Sequence, residues 1–208
     1  MAKLIYIESS PRKSRSHSIK VSEAFLDSYA KEHPNDTIEK IDLWAEALPP
    51  FSDEVLDAKY SIMHGSEPSE NEKKAWEKIE SLFNRFNSGD KYVFSVPMWN
   101  FGLPYVLKHY IDLITQPGLA WAFNPESGYS GLVSGKVAVI YATGGEYNAG
   151  SQTEAFDLQK PAFENWLAFI GLTDVSKIII APTLSDPTEV EKTLNSCIEV
   201  AKKTAKSF

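Results

Sequence analysis

The side chains best equipped for chemistry fall in three short segments. In SSPRKSRSHS, Ser9 to Ser18, hydroxyls recur at Ser10, Ser16 and Ser18 with His17 among them, directly ahead of a run with helical spacing. Hydroxyls gathered at a helix N-terminus add donors to the free amides and positive dipole end that already favour an anion. Such a cradle suits a monophosphate. Neither the glycine-lysine loop of nucleoside triphosphatases nor the GxGxxG pyrophosphate turn is present, and a serine cluster that only caps a helix is the competing reading. In PMWNFGLP, residues Pro97, Met98, Trp99, Asn100 and Phe101 put a thioether, an amide and two large aromatics in a loop, where polar residues are the rule. A flat conjugated ligand accounts for them, with Asn100 able to donate and accept at a heterocycle edge. The alternative is that Trp99 and Phe101 roof the core. In the third segment, Thr143, Gly144 and Gly145 let the backbone approach a ring closely, although a Gly pair alone more often marks a turn.

The hydrophobic pattern around these segments specifies the scaffold that must position them. Lys3 to Glu8 reads LIYI between polar ends, apolar on both faces as a buried parallel strand is. Val21, Phe25 and Tyr29 then recur every four residues, a helix that runs out before Pro34. The pattern repeats, with strands predicted at Thr37 to Leu43, Lys91 to Val96, Val137 to Tyr141 and Val175 to Ile180. Helices carry Ala75, Ile79, Leu82, Phe83 and Phe86, then the very apolar Leu103 to Ile114. Two more follow: Glu154 to Ile170, burying Phe156, Phe163, Leu167 and Ile170, and a closing helix from Val190 to Ala205. Leu48 to Ser69, with three Pro and one Gly, is expected to be an irregular connection.

Alternating strands and helices define an α/β, flavodoxin-like three-layer sandwich. Five parallel strands in the order 2-1-3-4-5 are covered by helices on both faces, and residues 1–208 form one domain. The ligand crevice of that topology opens at the carboxyl ends of strands one, three and four. All three segments fall there. A phosphate site at one end and a planar-ring site at the other match flavin mononucleotide (FMN) among common ligands.

Composition narrows the function. Asp and Glu number 28 against 21 Lys and Arg, a net charge of −7 with no block of five like charges, so the clustered basic surface of a nucleic-acid binder is missing. The four His are scattered without metal-ligand spacing, and His17 and His109 are weak proton-donor candidates, one in the phosphate loop and one on an amphipathic helix. Cys197 reads as a small hydrophobe on the last helix. Gly128 to Gly135 has the wrong spacing for the GxSxG turn of a serine hydrolase. With no apolar stretch of membrane-spanning length and no leader legible before the first strand, a cytoplasmic protein without membrane contact is expected.

From LIYIESS through the SHS helix entry, PMWNF, KHYIDLI, GLVSGK and TGG to FIGLTDV at Phe169 to Val175, the chain resembles the FMN-dependent NADH-azoreductases, also called FMN-dependent NADH:quinone oxidoreductases. PMWNF followed by a helix is a specific signature of them. The resemblance implies that Ser10, Ser16, His17 and Ser18 bind the FMN phosphate. It implies contacts to the isoalloxazine from Pro97, Met98, Trp99, Asn100 and Phe101, and from Thr143, Gly144 and Gly145. The implied reaction is ping-pong: NADH or NADPH gives two electrons through tightly but non-covalently bound FMN to a quinone, or to an azo compound that is cleaved to aromatic amines. No metal and no catalytic side chain is assigned, because the flavin carries the chemistry. A homodimer with sites at the subunit interface is also implied, together with a lid in which Trp121 and Phe123 join Trp99 in the substrate pocket.

On the residues alone, Trp121 and Phe123 could equally be core or hairpin, and the Leu103 to Ile114 helix could be interface or interior. Phe51 to Pro68, with Tyr60 and His64, reads as a solvated connection in preference to one that reaches a partner's site. The chain departs from the family pattern at Trp99, where Tyr is common, and at Ala142 and Thr143, where Ser-Arg is common. The first change keeps stacking and removes a hydroxyl; the second removes a fixed charge beside the cofactor, which bears on donor and acceptor preference. Two other classes share this topology. A flavodoxin-like FMN electron carrier needs only an exposed ring edge, whereas the aromatic Gly118 to Tyr129 insertion favours a substrate enzyme. A phosphoacceptor receiver wants acidic residues at the end of strand one, where only Glu8 stands.

Overall fold

In the computed structural model, which describes residues 1–208, the chain runs β1 (Lys3–Glu8), α1 (His17–Glu32), β2 (Thr37–Asp42), α2 (Asp53–Met63), α3 (Glu70–Asn87), β3 (Lys91–Pro97) and α4 (Tyr105–Ile114). It continues through β4 (Trp121–Asn124), β5 (Gly128–Gly131), β6 (Lys136–Ala142), α5 (Gln159–Ile170), β7 (Asp174–Ile180) and α6 (Pro187–Lys206). Five of the strands pair in parallel in the order β2-β1-β3-β6-β7. Counted along the sheet, this is the expected 2-1-3-4-5 order of a flavodoxin-like fold.

Side chains alternate across each central strand, and the two faces build two cores. Ile5, Ile7, Tyr92, Phe94, Val96, Val137, Val139 and Tyr141 point into a large cluster with Phe86, Tyr110, Phe163 and Leu167 from α3, α4 and α5. Leu4, Tyr6, Val93, Ala138 and Ile140 point the other way, onto Val21, Phe25 and Tyr29 of α1 and Ala201 and Ala205 of α6. Cys197 packs against this second core, its thiol 3.4 Å from the Ile179 carbonyl, as expected of a small hydrophobe. With both faces sealed, only the two edges where the strands end are free to hold polar chemistry.

The structure corrects the sequence reading in two places and, for the Gly118 to Tyr129 segment, selects the hairpin among the alternatives left open. Leu48 to Ser69 is not wholly irregular: α2 forms within it because Val55 and Ala58, one helical turn apart, bury against Trp76 and Ile79 of α3 and Leu113 of α4. The flanking prolines hid so short a repeat. The helix expected from Glu154 begins at Gln159, and a 3-10 turn at Glu154–Phe156 leaves Phe156 exposed instead of buried. Residues 121–131 form an antiparallel hairpin, β4 with β5, outside the main sheet.

That hairpin lies at the amino-terminal edge of the strands. Its Gly131 backs directly onto Gly171, which ends α5 in a left-handed conformation, and Val133 donates to the Ile170 carbonyl at 2.9 Å. A Cβ on Gly131 would meet the Gly171 nitrogen at 2.1 Å, and backbone cannot swing aside as a side chain does. Gly131→Ala is therefore expected to destabilise the fold by about 1–3 kcal/mol, the usual cost of overpacking a tight contact. Denaturant unfolding with an unchanged m-value is the check.

Candidate active site

At the carboxyl edge of β1, β3 and β6 a crevice of about 190 Å³ is lined by Ser10, Arg12, Ser16, His17, Pro97, Met98, Trp99, Ala142, Gly144, Thr183 and Leu184. Larger grooves exist beside Pro49 and Pro50, the biggest about 700 Å³, but surface Lys and Glu side chains line them. Only the crevice draws together strand ends, a helix N-terminus and aromatic rings.

Its first wall is the serine loop. Ser16 caps α1 by accepting from the Ile19 amide at 3.4 Å, and its hydroxyl lies 3.1 Å from that of Ser18. Ser18 is fully buried behind Ser16 and braces it, while Ser10, Ser16 and His17 line the crevice. Ser10 accepts from the Arg12 amide at 3.4 Å, which turns the chain so that Arg12 also reaches the crevice. Nδ1 of His17 is buried without a hydrogen-bond partner. Burial, reinforced by the nearby cations Arg12 and Lys20, lowers the His17 pKa, so the imidazole rests neutral.

The second wall follows β3. Met98 extends the sheet by donating to the Ala142 carbonyl at 2.8 Å. Trp99 and Gly102 then exchange backbone hydrogen bonds of 3.0 and 2.9 Å across a two-residue turn in which Asn100 and Phe101 have φ of +47° and +69°. A left-handed pair is what a tight hairpin turn demands, and Asn accepts it far more readily than Phe. Placing Phe there costs roughly 1–2 kcal/mol. The turn holds Phe101 45% exposed, in contact with Tyr147 and Phe156. Trp99 faces the opposite way, 5.8 Å from Trp44 and 6.2 Å from Tyr105 between ring centres. Trp44 is itself pinned by donating from Nε1 to the Ser9 carbonyl at 3.0 Å, so it links the serine loop to the ring loop.

The third wall follows β6. The Thr143 hydroxyl donates to the Gly145 carbonyl at 2.7 Å, and the Thr143 carbonyl accepts from the amide and hydroxyl of Thr183 at 2.9 and 3.0 Å. Gly144 accepts from the Leu184 amide at 3.0 Å and lies under the Leu184 side chain. Of the three residues only Gly144 lines the crevice; Thr143 locks the loop from behind and Gly145 sits beside Tyr147.

The donor set fits an FMN molecule. Hydroxyls of Ser10 and Ser16, Arg12 and an unpartnered His17 nitrogen at the start of α1 suit a phosphate, and Met98, Trp99 and a Gly144 without a Cβ suit a planar ring. Sequence reading missed Arg12, Trp44, Thr183 and Leu184. A cation inside the serine loop was visible for Arg12, but nothing local marked the β7 loop or a Trp just past β2. His109 has a structural partner in the Pro49 carbonyl at 2.9 Å, and Tyr60 stacks on His64 beyond the crevice. Trp121 and Phe123 line a separate apolar cavity with Met63, Pro117, Ala122 and Tyr129, at the far edge of the sheet, so one chain does not unite them with Trp99.

A parallel α/β sandwich with an anion-binding helix start and an aromatic ring loop at its switch point is, as a class, a doubly wound mononucleotide-binding protein. Residues 2–205 match the family model described as "Flavodoxin-like fold". An "FMN-dependent NADH:quinone oxidoreductase" of Desulfotalea psychrophila is 46% identical over 195 residues, 93% of this chain and 92% of the relative. The crystal structure of an azoreductase from Bacillus anthracis str. Sterne superposes with a TM-score of 0.92 at 30% identity, covering 100% of both chains. A second, an FMN-dependent NADH-azoreductase from Bacillus anthracis str. Ames Ancestor in complex with FMN, gives 0.86 at 29% identity over 99% of this chain and 100% of that one. The chain belongs to the flavodoxin-like family, among the relatives named FMN-dependent NADH:quinone oxidoreductase.

The lowered His17 pKa has a consequence for stability. The folded chain holds His17 neutral while the unfolded chain titrates near its ordinary value of about 6.5, so below that pH the unfolded state binds more protons. Stability from this site is present above the unfolded pKa and declines as pH falls toward the folded one. Tm measured across that window is expected to fall less steeply in His17→Gln than in the wild type; parallel curves would remove His17 from the account.

Proposed function

We propose that this chain is an FMN-dependent oxidoreductase that passes two electrons from NADH or NADPH to quinones, and that cleaves azo compounds reductively to aromatic amines. The observation that carries the reading is the crevice: an anion cradle at the start of α1 and an aromatic, thioether-lined ring site after β3, facing each other across the carboxyl edge of the sheet. The names of relatives and solved neighbours point the same way, and away from an electron carrier without an organic substrate.

Bound FMN supplies hydride acceptance and two-electron delivery; the protein supplies position and electrostatics. Ser10, Ser16, Arg12, His17 and the first amides of α1 hold the phosphate, and Ser18 fixes the Ser16 hydroxyl. Pro97, Met98, Trp99 and Gly144 would hold the ring, with Asn100 and Phe101 in the turn just beyond them. Thr143 and Gly145 hold the third loop in shape. Backbone N–H groups of the second and third loops would stabilise negative charge on the ring, as preorganised donors do. Donor and acceptor use the same open side of the crevice in turn, which is ping-pong order.

Sites that enclose a small molecule usually measure roughly 300–1,000 Å³, so a crevice of 190 Å³ covers only part of this ligand. A second subunit completes it in our reading. Trp121 and Phe123 stand at the wrong edge to serve their own site, and as part of a homodimer they become a lid over the partner's crevice beside Trp99. Residues 1–208 then act as one FMN-binding domain per subunit. No helix is long and apolar enough to cross a membrane. A cytoplasmic location, where reduced nicotinamide is supplied, belongs to the same reading.

Anaerobic titration of the FMN-loaded protein with NADH is expected to bleach the flavin at one equivalent, with prompt recovery on adding a benzoquinone. Flavin that ignores both nicotinamide donors would overturn the reading. Trp99→Ala is expected to alter acceptor turnover and the visible flavin spectrum together. Ser16→Ala is expected to weaken FMN retention about two- to tenfold, the loss of one hydrogen bond and a helix cap. Acceptor-reduction kinetics of Trp121→Ala, with equilibrium sedimentation alongside the wild type, report on the lid: slower reduction in an intact dimer is the expected outcome.

A further inference from the structure

Lys13 stands in the serine loop with φ of +50°, a left-handed conformation that residues other than Gly, Asn and Asp avoid. Its neighbours explain what holds it there. The Lys13 ammonium donates to Glu8 Oε1 at 2.8 Å, at the end of β1, and to both oxygens of Asp42, at the end of β2. Glu8 is 1% exposed and pairs on its other oxygen with Lys40. A buried carboxylate is stable only with such partners, so the geometry of this cluster is tightly held.

The backbone of Lys13 is tied to the crevice through Ser16. Its carbonyl accepts from the Ser16 amide at 2.8 Å, the cap residue of α1 whose neighbours line the site. Arg12, one residue before, reaches the crevice and accepts on its carbonyl from the Arg15 amide at 3.0 Å. Two strand ends therefore set the place of Lys13, and Lys13 sets the place of Ser16 and Arg12.

We infer that Lys13 is a positioning residue, a strut anchored on Glu8 and Asp42 that holds the serine loop in its phosphate-accepting shape. This rests on the FMN reading above and adds a residue that does not itself line the crevice. The strut differs from a simple attracting charge in a way that Asp42 reveals. If Lys13 only drew the phosphate electrostatically, Asp42 would compete with it, and neutralising Asp42 would tighten FMN. A strut predicts the reverse.

The test is titration of flavin-stripped protein with FMN and, separately, with riboflavin, which has the ring and lacks the phosphate. Asp42→Asn keeps the oxygen that accepts from the Trp44 amide at 3.1 Å and removes the ion pair. Asp42→Asn and Lys13→Gln are expected to weaken FMN by roughly tenfold, the scale of one charge-assisted hydrogen bond, while riboflavin affinity stays at the wild-type value. Lys13→Arg is expected to restore FMN affinity. Lys13→Gly, which accepts the left-handed backbone without strain, covers the case in which Lys13→Gln does not fold, with the same expected loss. Tighter FMN in Asp42→Asn, equal losses of FMN and riboflavin, or no loss of either would overturn the strut. A wild-type chain that binds neither flavin would instead overturn the FMN reading, and this inference with it.

Discussion

The structure depends on the burial of β1, β3 and β6 on both faces. Their side chains alternate between two cores, so neither face has room for a polar site, and each strand must release its chain at an edge. Parallel pairing makes every strand point the same way, which sends the loops after β1, β3, β6 and β7 to one edge without any specific attraction among them. Hydrogen bonds then join what the sheet has gathered. Trp44 ties to Ser9, Met98 to Ala142, Thr183 to Thr143 and Leu184 to Gly144.

Departures from low-energy backbone are concentrated in those same loops. All three non-Gly residues of positive φ, Lys13, Asn100 and Phe101, lie in the first or second crevice loop. Strain persists only where surroundings over-determine it. For Asn100 and Phe101 the constraint is the reciprocal hydrogen-bonded pair at Trp99 and Gly102, continuous with β3; for Lys13 it is the two carboxylates at the ends of β1 and β2. The crevice loops are thus held as extensions of the sheet, which suits the proposed role of orienting a cofactor that carries the electron chemistry.

The amino-terminal edge has a different character. There the β4-β5 hairpin exposes Phe123 and Tyr129 beside Trp121, packed on Phe169. An aromatic group this exposed is costly to leave in water, and a partner subunit that covers it gives it purpose in the proposed dimer.

Much of the fold was legible in the sequence because its cause is local. β-branched runs too short for helices, and apolar repeats every three or four residues between them, determined the five sheet strands, their order and the edge where chemistry would collect. The three crevice segments were legible for the same reason: Ser10, Ser16, Met98, Trp99 and Gly144 are odd choices for ordinary loops. What no periodicity could report was which way each residue faces once the loops meet. Ser18 turns inward and Ser16 outward; Thr143 locks the loop while Gly144 lines the crevice; Phe156 leaves the core because the helix begins three residues after it. Arg12, Trp44, Thr183 and Leu184 join the site through contacts between distant segments, and the placement of Trp121 and Phe123 opposite Trp99 follows from the direction of α4 and α5. Composition and spacing determined the scaffold and the class of ligand, since both act along the chain; tertiary packing alone decided the membership of the site, since that depends on distances between strand ends which the linear sequence does not contain.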